Sequence, residues 1–211
     1  MDIVGSVVLY KNDIKVLKEA INSFLNTQLK VQLILIDNSP NDYLKNLETL
    51  DTRIKYYFMG SNLGFGKAHN VAIKKSTALK SKYHLVLNPD IYYGQGELEK
   101  MYSFLENNKE FGHMMPKILY PDNTVQYLCK QNPTFFDLVI RRFLPRKLKL
   151  IFKNKMLSYE NRSRDYNDVM FDIPYLSGCF MLFRTSVLEE IGGFDEKIFM
   201  YIEDADITLP P

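Results

Sequence analysis

The chain has 211 residues, 46% of them hydrophobic with 14 Tyr and 14 Phe, enough apolar side chain for one α/β domain or a domain with a small extension. A net charge of +2 gives no global polyanion-binding signal, so nucleic acid is not an expected partner. No run approaches the roughly 18 apolar residues of a membrane span, the N-terminus lacks a signal-peptide pattern, and Cys129 and Cys179 neither form a CxxC pair nor suffice for a zinc site. The expectation is a cytoplasmic protein with reduced thiols.

Ile3 to Tyr10 is apolar and β-branched and reads as a buried strand, followed by Asn12 or Asp13 as a helix cap. Ile14, Leu17, Ile21, Phe24 and Leu25 then recur at helical spacing. Val31 to Ile36 is a second strand, ended by the turn Asp37-Asn38-Ser39-Pro40, and Ile54 to Phe58 a third. The loop Gly60–Gly66 leads into a helix from about Lys67 to Leu79, and Tyr83 to Leu87 is a fourth strand closed by Asn88-Pro89-Asp90. Glu97 to Glu106 reads as a helix, and Met114 to Leu119 with Val125 to Leu128 as a hairpin about Pro121-Asp122-Asn123-Thr124. Cys179 to Phe183 is a later strand and Thr185 to Ile191 a short helix ended by Gly192-Gly193.

Strand–helix alternation over the first 90 residues predicts an α/β fold with a mostly parallel sheet and helices on both faces. Ligands of such sheets bind beyond the carboxyl ends of the strands. Tyr10, Asp37, Asn38, Asn88 and Asp90 end these strands and are expected along one rim.

Several residues could carry chemistry. Asp90 follows a strand and a proline that stops ladder pairing; it is either a turn residue or an oxygen ligand for Mg²⁺ or Mn²⁺ whose shell is completed by substrate phosphates. Asp37-Asn38 is a plain turn or an acceptor for nucleobase N–H groups. Gly64 and Gly66, flanking Phe65 ahead of a helix, suit either a simple loop or a phosphate cradle. The spacing is neither GxGxxG nor a P-loop. His69, His84 and His113 lack metal spacing and are expected to be structural or at the surface, with His69 set apart by its closeness to the glycine loop. Near the C-terminus Glu203, Asp204 and Asp206 place three carboxylates within four positions after an aromatic, apolar run. Ionised carboxylates are costly there unless a metal, a proton or a cationic group is near, which marks acid–base chemistry.

Together these segments resemble an inverting family 2 glycosyltransferase of the GT-A fold, and within it the rhamnosyltransferase-like branch. The likeness rests on Val7–Asn12, Leu35–Ser39, Asn62-Leu63-Gly64-Phe65-Gly66-Lys67-Ala68-His69-Asn70, Leu87-Asn88-Pro89-Asp90, Ser177–Leu182 and Gly192–Asp206, in order from residue 3 to about 207. It implies a Rossmann-like, mostly parallel central sheet flanked by helices, with a small antiparallel hairpin element. Residues 1–90 would form the nucleotide-sugar-binding half of a single 1–211 catalytic domain and 91–211 the acceptor-side half. The resemblance places Tyr10, Asp37, Asn38, Asn62, Gly64, Asn70 and Asn88 at the donor. It makes Asp90 the carboxylate for Mg²⁺ or Mn²⁺, Asp204 the catalytic base, and Glu203 and Asp206 its supporting acids. The implied donor is a dTDP- or UDP-sugar, dTDP-rhamnose by branch, and the acceptor a polyprenyl-linked glycan of a bacterial surface polysaccharide.

Two departures qualify the expectation. In the family the acidic segment continues as Asp-Leu-x-x-Arg into a helix, whereas here Asp206 is followed by Ile207-Thr208-Leu209-Pro210-Pro211, so the acceptor-side half is expected to be incomplete. The alternative reading is therefore an inactive sugar-nucleotide-binding or scaffold protein; a nucleotidyltransferase would want a Gly-rich, basic loop where Tyr10-Lys11-Asn12-Asp13 stands. Residues 141–168 are expected to be a basic, irregular or mobile insertion. Its 141–155 part interleaves cations with Phe143, Leu144, Leu148, Leu150, Ile151 and Phe152, either a solvated loop or a peripheral contact with the inner face of the cell membrane.

Overall fold

A computed structural model describes residues 1–131 and 157–208 and divides the chain into two compact units. The first comprises Met1–Met115 and Gly178–Glu203, the second Pro116–Ser177 and Asp204–Pro211. Residues 141–155, expected as a basic membrane contact, lie outside the described residues.

The first unit is built on six strands: β1 (Ile3–Leu9), β2 (Val31–Asp37), β3 (Ile54–Phe58), β4 (Tyr83–Leu87), β5 (His113–Met114) and β10 (Phe180–Arg184), in the spatial order β3-β2-β1-β4-β10-β5. The first four are parallel, and β10 runs antiparallel to both β4 and β5. β4 is buried along its whole length and β1 nearly so, as expected of strands covered on both faces, and this is why they read as continuous apolar runs. Helix α1 (Ile14–Leu25) covers one face through Leu17, Ala20, Ile21, Phe24 and Leu25, and the Asp13 carboxylate caps it by accepting the Lys15 N–H. Helix α2 (Phe65–Ala78) covers the other: Ala68 and Ala72 pack with Val4, Ile34 and Ile36. Small alanines let this helix approach the sheet closely. Helix α3 (Glu97–Asn107) ends against Arg184, whose guanidinium donates to the carbonyls of Leu105, Asn108 and Phe111 and to the Tyr83 hydroxyl. A cation among the last carbonyls of a helix satisfies orphan acceptors and complements the dipole. Helix α4 (Thr185–Ile191) stops at Gly192, which takes the left-handed conformation (φ 80°).

The predicted hairpin is present but shorter. β6 (Ile118–Leu119) pairs with β7 (Val125–Gln126) across the expected turn, while His113-Met114 pairs with Phe183-Leu182 in the main sheet. The second unit holds this hairpin and a second antiparallel pair, β8 (Cys129–Lys130) with β9 (Tyr175–Leu176). Buried Asn161 braces that pair, donating to the Cys129 carbonyl and accepting from Gln131. Helix α5 (Glu203–Thr208) starts at the last residue of the first unit and continues in the second. Among the described residues no helix is long and apolar enough to cross a membrane.

Candidate active site

The carboxyl ends of β1, β2, β3 and β4 lie on one side of the sheet, because these strands are parallel and in register: Leu9 stands opposite Asp37, and Asp37 opposite Phe58. The strand order reverses between β1 and β4, which makes their crevice a topological switch point. Tyr10 and Asn88 follow directly at this rim, and Asp37 ends the strand on the other side of β1.

The rim after β1 is a pinned turn. The Asn12 carboxamide accepts the Tyr10 N–H at 2.7 Å, the Ser39 hydroxyl accepts the Lys11 N–H at 2.9 Å, and Lys11 takes φ 55°. This leaves the Tyr10 ring about half exposed (49%).

Asp37 is fully buried. One carboxylate oxygen accepts the Ser39 N–H at 2.8 Å and the other the Tyr56 hydroxyl at 2.5 Å. Burial, and then the adjoining Asp37, push the Tyr56 phenol well above its ordinary range, so it stays a donor. Asn38, also buried, donates to the Gly64 carbonyl at 3.0 Å and to the Asn62 carboxamide at 3.3 Å, and Asn62 in turn accepts the Gly64 N–H at 3.0 Å. The β2 end therefore holds the Asn62–Gly66 loop. The Asn38 side-chain oxygen is buried with no partner among the described residues, an unsatisfied acceptor at the rim. Asn62 itself is exposed.

Gly64 sits at φ 83°, and a Cβ there would strike the Phe199 carbonyl oxygen. The Phe65 N–H donates to that same carbonyl at 3.2 Å. Only glycine meets both requirements, which is why the helix can begin at Phe65, two residues ahead of the sequence expectation. Asn70, expected at the donor, is buried in α2 with its carboxamide engaged elsewhere: it accepts the Phe194 N–H at 2.9 Å and donates to the Phe194 carbonyl at 2.8 Å.

Asp90 is exposed and lies two residues beyond Asn88, whose N–H is fixed by the Cys179 carbonyl at 2.9 Å. No described side chain bonds its carboxylate. No group of three or more His, Cys, Asp or Glu side chains among the described residues could hold a metal unaided. One outward carboxylate fits a hard cation whose remaining oxygens come from phosphate and water.

In the second unit the Asp204 carboxylate is half-buried and faces the Tyr175 hydroxyl, 3.0 and 3.1 Å from its two oxygens. The ammonium of buried Lys130, the cross-strand neighbour of Tyr175, lies 4.7 Å from the centre of that ring. Asp206 is exposed, Glu203 is buried in the first unit, and the two preceding residues, Tyr201 (φ 69°) and Ile202 (φ 79°), are strained non-glycine residues in the left-handed region. Tyr56 and Tyr175 escape sequence reasoning: strand register brings Tyr56 beside Asp37, and only the folded chain brings Tyr175 to Asp204 on α5.

His69 and His84 are interior, and His113 is half-buried on the edge strand β5. The Ser6 hydroxyl lies 2.8 Å from His69 Nδ1 and 2.9 Å from His84 Nε2, all three residues being fully buried. Ser6 has one hydroxyl hydrogen, so at least one of these ring nitrogens must donate to it. Burial lowers His84 and His113 to about 3 and holds His69 well below its ordinary range, with His84 a lesser cause. Imidazoles kept neutral by burial suit a structural role. Burial also raises the Cys129 thiol, which argues against a nucleophilic role.

The sequence profile described as "Glycosyl transferase family 2" matches residues 6–192. The chain belongs to this family. It is 26% identical over 197 residues to the N-acetylglucosaminyl-diphospho-decaprenol L-rhamnosyltransferase of Mycobacterium tuberculosis, covering 87% of this chain and 61% of that protein. It is 28% identical over 160 residues to rhamnosyltransferase WbbL of Escherichia coli K12, covering 72% of this chain and 56% of that one. The chain thus spans about three fifths of the length of these relatives. Among solved structures, S. aureus TarS 1-349 in complex with UDP-GlcNAc superposes with a TM-score of 0.62 at 18% identity, over 99% of this chain and 52% of that one. The mannosyltransferase PcManGT from Pyrobaculum calidifontis, in complex with GDP-Man and Mn²⁺, gives 0.62 at 13% identity over 97% and 50%. The fold is GT-A, with the mostly parallel sheet flanked by helices and the small antiparallel pairs that the sequence implied.

Proposed function

We propose that this chain carries the catalytic residues of an inverting, metal-assisted glycosyltransferase. It moves a sugar from a nucleoside diphosphate to a polyprenyl-linked glycan in bacterial surface polysaccharide synthesis; the names of its relatives favour L-rhamnose, and the branch resemblance favours dTDP-rhamnose as donor. The observation that carries the reading is the rim. A buried Asp37-Asn38 pair, the loop it holds and the outward Asp90 stand at the carboxyl ends of strands around one switch point. The names of the relatives support rhamnose and a diphospho-polyprenol acceptor. Such an acceptor implies work at the inner face of the cell membrane, with the protein cytoplasmic and peripheral.

In this reading the Asn38 oxygen and the β2 end receive the base, with Tyr10 beside them, and Asn62, Gly64 and Asn88 border the ribose and diphosphate. Asp90 would hold Mg²⁺ or Mn²⁺, which when bound neutralises charge on the leaving diphosphate. Asp204 accepts the proton of the acceptor hydroxyl while that oxygen bonds to the anomeric carbon. The bond from that carbon to the diphosphate oxygen breaks, and the nucleoside diphosphate departs with its electron pair. A single displacement inverts the centre. Tyr175 keeps the Asp204 carboxylate oriented, and Glu203 and Asp206 keep the surroundings acidic.

Transfer from dTDP-rhamnose to a diphospho-polyprenol-linked GlcNAc, followed by mass spectrometry, tests this. The expected product carries one deoxyhexose, and Asp204→Asn lowers the rate by about 10²–10⁴-fold, the range for a general base. Undiminished transfer by Asp204→Asn would overturn the assignment. Nucleotide binding without transfer from any donor would favour the inactive, sugar-nucleotide-binding alternative.

A further inference from the structure

The segment Gly193–Phe199, which runs on to Glu203 and Asp204, is fastened to α2 at two places. At its start the Asn70 carboxamide forms a two-point bridge with the backbone of Phe194, accepting its N–H at 2.9 Å and donating to its carbonyl at 2.8 Å. The same amide nitrogen lies 3.3 Å from the Glu196 carboxylate. Gly193 makes the approach possible: it sits at φ 79°, and a Cβ there would lie 2.5 Å from the Asn70 oxygen. The Phe194 ring then packs edge-on against Phe65, the first residue of α2, with centroids 5.8 Å apart. At its far end the Phe199 carbonyl accepts the Phe65 N–H and abuts Gly64. Asn70 is 5% exposed and both of its polar atoms are engaged by protein, so little of it is open to a ligand.

We infer that Asn70 is a positioning residue that fastens the Gly193–Phe199 segment to the helix springing from the nucleotide loop, and that it does not contact the donor. A residue 124 positions away in sequence is thereby made to follow α2. The Gly64–Phe199 contact extends this to the loop itself, so ordering the loop orders the segment. The functional weight of the inference rests on the transferase reading; the bridge itself does not.

Amide hydrogen exchange and nucleotide binding separate the possibilities. In Asn70→Ala the Phe194 N–H loses its acceptor, and its exchange should rise by tenfold or more, as for an opened local structure. The Phe65 N–H, which Asn70 does not touch, should also exchange faster because its acceptor Phe199 is released. The Kd for UDP and for dTDP, measured calorimetrically with Mg²⁺, should stay within about threefold of wild type, far from the tenfold that a lost donor contact of about 1.4 kcal/mol gives. Gly193→Ala should reproduce the pattern, and it keeps the inference testable if Asn70→Ala does not fold. A Kd raised tenfold or more by Asn70→Ala, or an unchanged Phe65 amide in both variants, would overturn the inference. If neither nucleotide binds wild-type protein, the donor-site reading fails, while the Phe65 amide still decides whether the bridge holds the segment.

Discussion

Two carboxylates flank β1 at the rim, and the fold treats them oppositely. Asp37, from β2, is fully buried and spends both oxygens on the Ser39 N–H and the Tyr56 hydroxyl. Asp90, after β4, is exposed and faces no described cation or donor. The first maintains the scaffold on which a ligand can rest, and the second is left for something the protein does not itself supply. A strand-end carboxylate in a sequence does not announce which of these it is. Burial decides, because a desolvated carboxylate must find its donors within the protein.

The contrast between engaged and open polar groups can be broken by experiment. Acid should expose the engaged groups most. His69, His84 and His113 are held below their unfolded value of about 6.5, so unfolding takes up protons below that pH. Their stabilising contribution is complete above about pH 6.5 and falls with pH down to about 3. His84 and His113, held at about 3, each cost about 2 kcal/mol by pH 5, at about 1.4 kcal/mol per pH unit, and His69 acts in the same direction. Urea titrations between pH 7 and 5 should show stability falling, and a flat profile would mean that these imidazoles are hydrated. Next, Asp37→Asn sets an amide donor against the Ser39 N–H or the Tyr56 hydroxyl. The expected loss is about 2–3 kcal/mol, roughly 5–10 °C in Tm, read by calorimetry. Tyr56→Phe removes one partner only and should cost about 1–2 kcal/mol in the same assay. Asp90→Asn should leave stability within about 0.5 kcal/mol of wild type, as for an exposed surface change. Equal losses at positions 37 and 90 would dissolve the contrast.

Legibility in the sequence follows the same division. β1, β2 and β4 are readable because strands buried on both faces are continuous apolar runs, and the Asp13 cap because its signal is local. The rim followed from strand direction alone. The pairing of His113-Met114 with β10 was not readable, since its partners lie some 70 residues on and two residues carry no period. Nor was the occupation of Asn70: a motif places it beside the loop, but only the fold brings Phe194 to it. Tyr175 is hidden likewise, because it meets Asp204, 29 residues on, only in the folded chain.

The most direct test of the rim is the thermal shift produced by UDP and dTDP, with and without Mg²⁺ or Mn²⁺, in wild-type protein and in Asp90→Asn. At a concentration 100 times Kd, a ligand specific for the folded state adds about 2.7 kcal/mol, or roughly 5–10 °C for a chain of this size. The account predicts a shift of that order that needs the metal in wild type, and loss of the metal-dependent part in Asp90→Asn. No shift with either nucleotide, or an equal metal-dependent shift in both proteins, would contradict it.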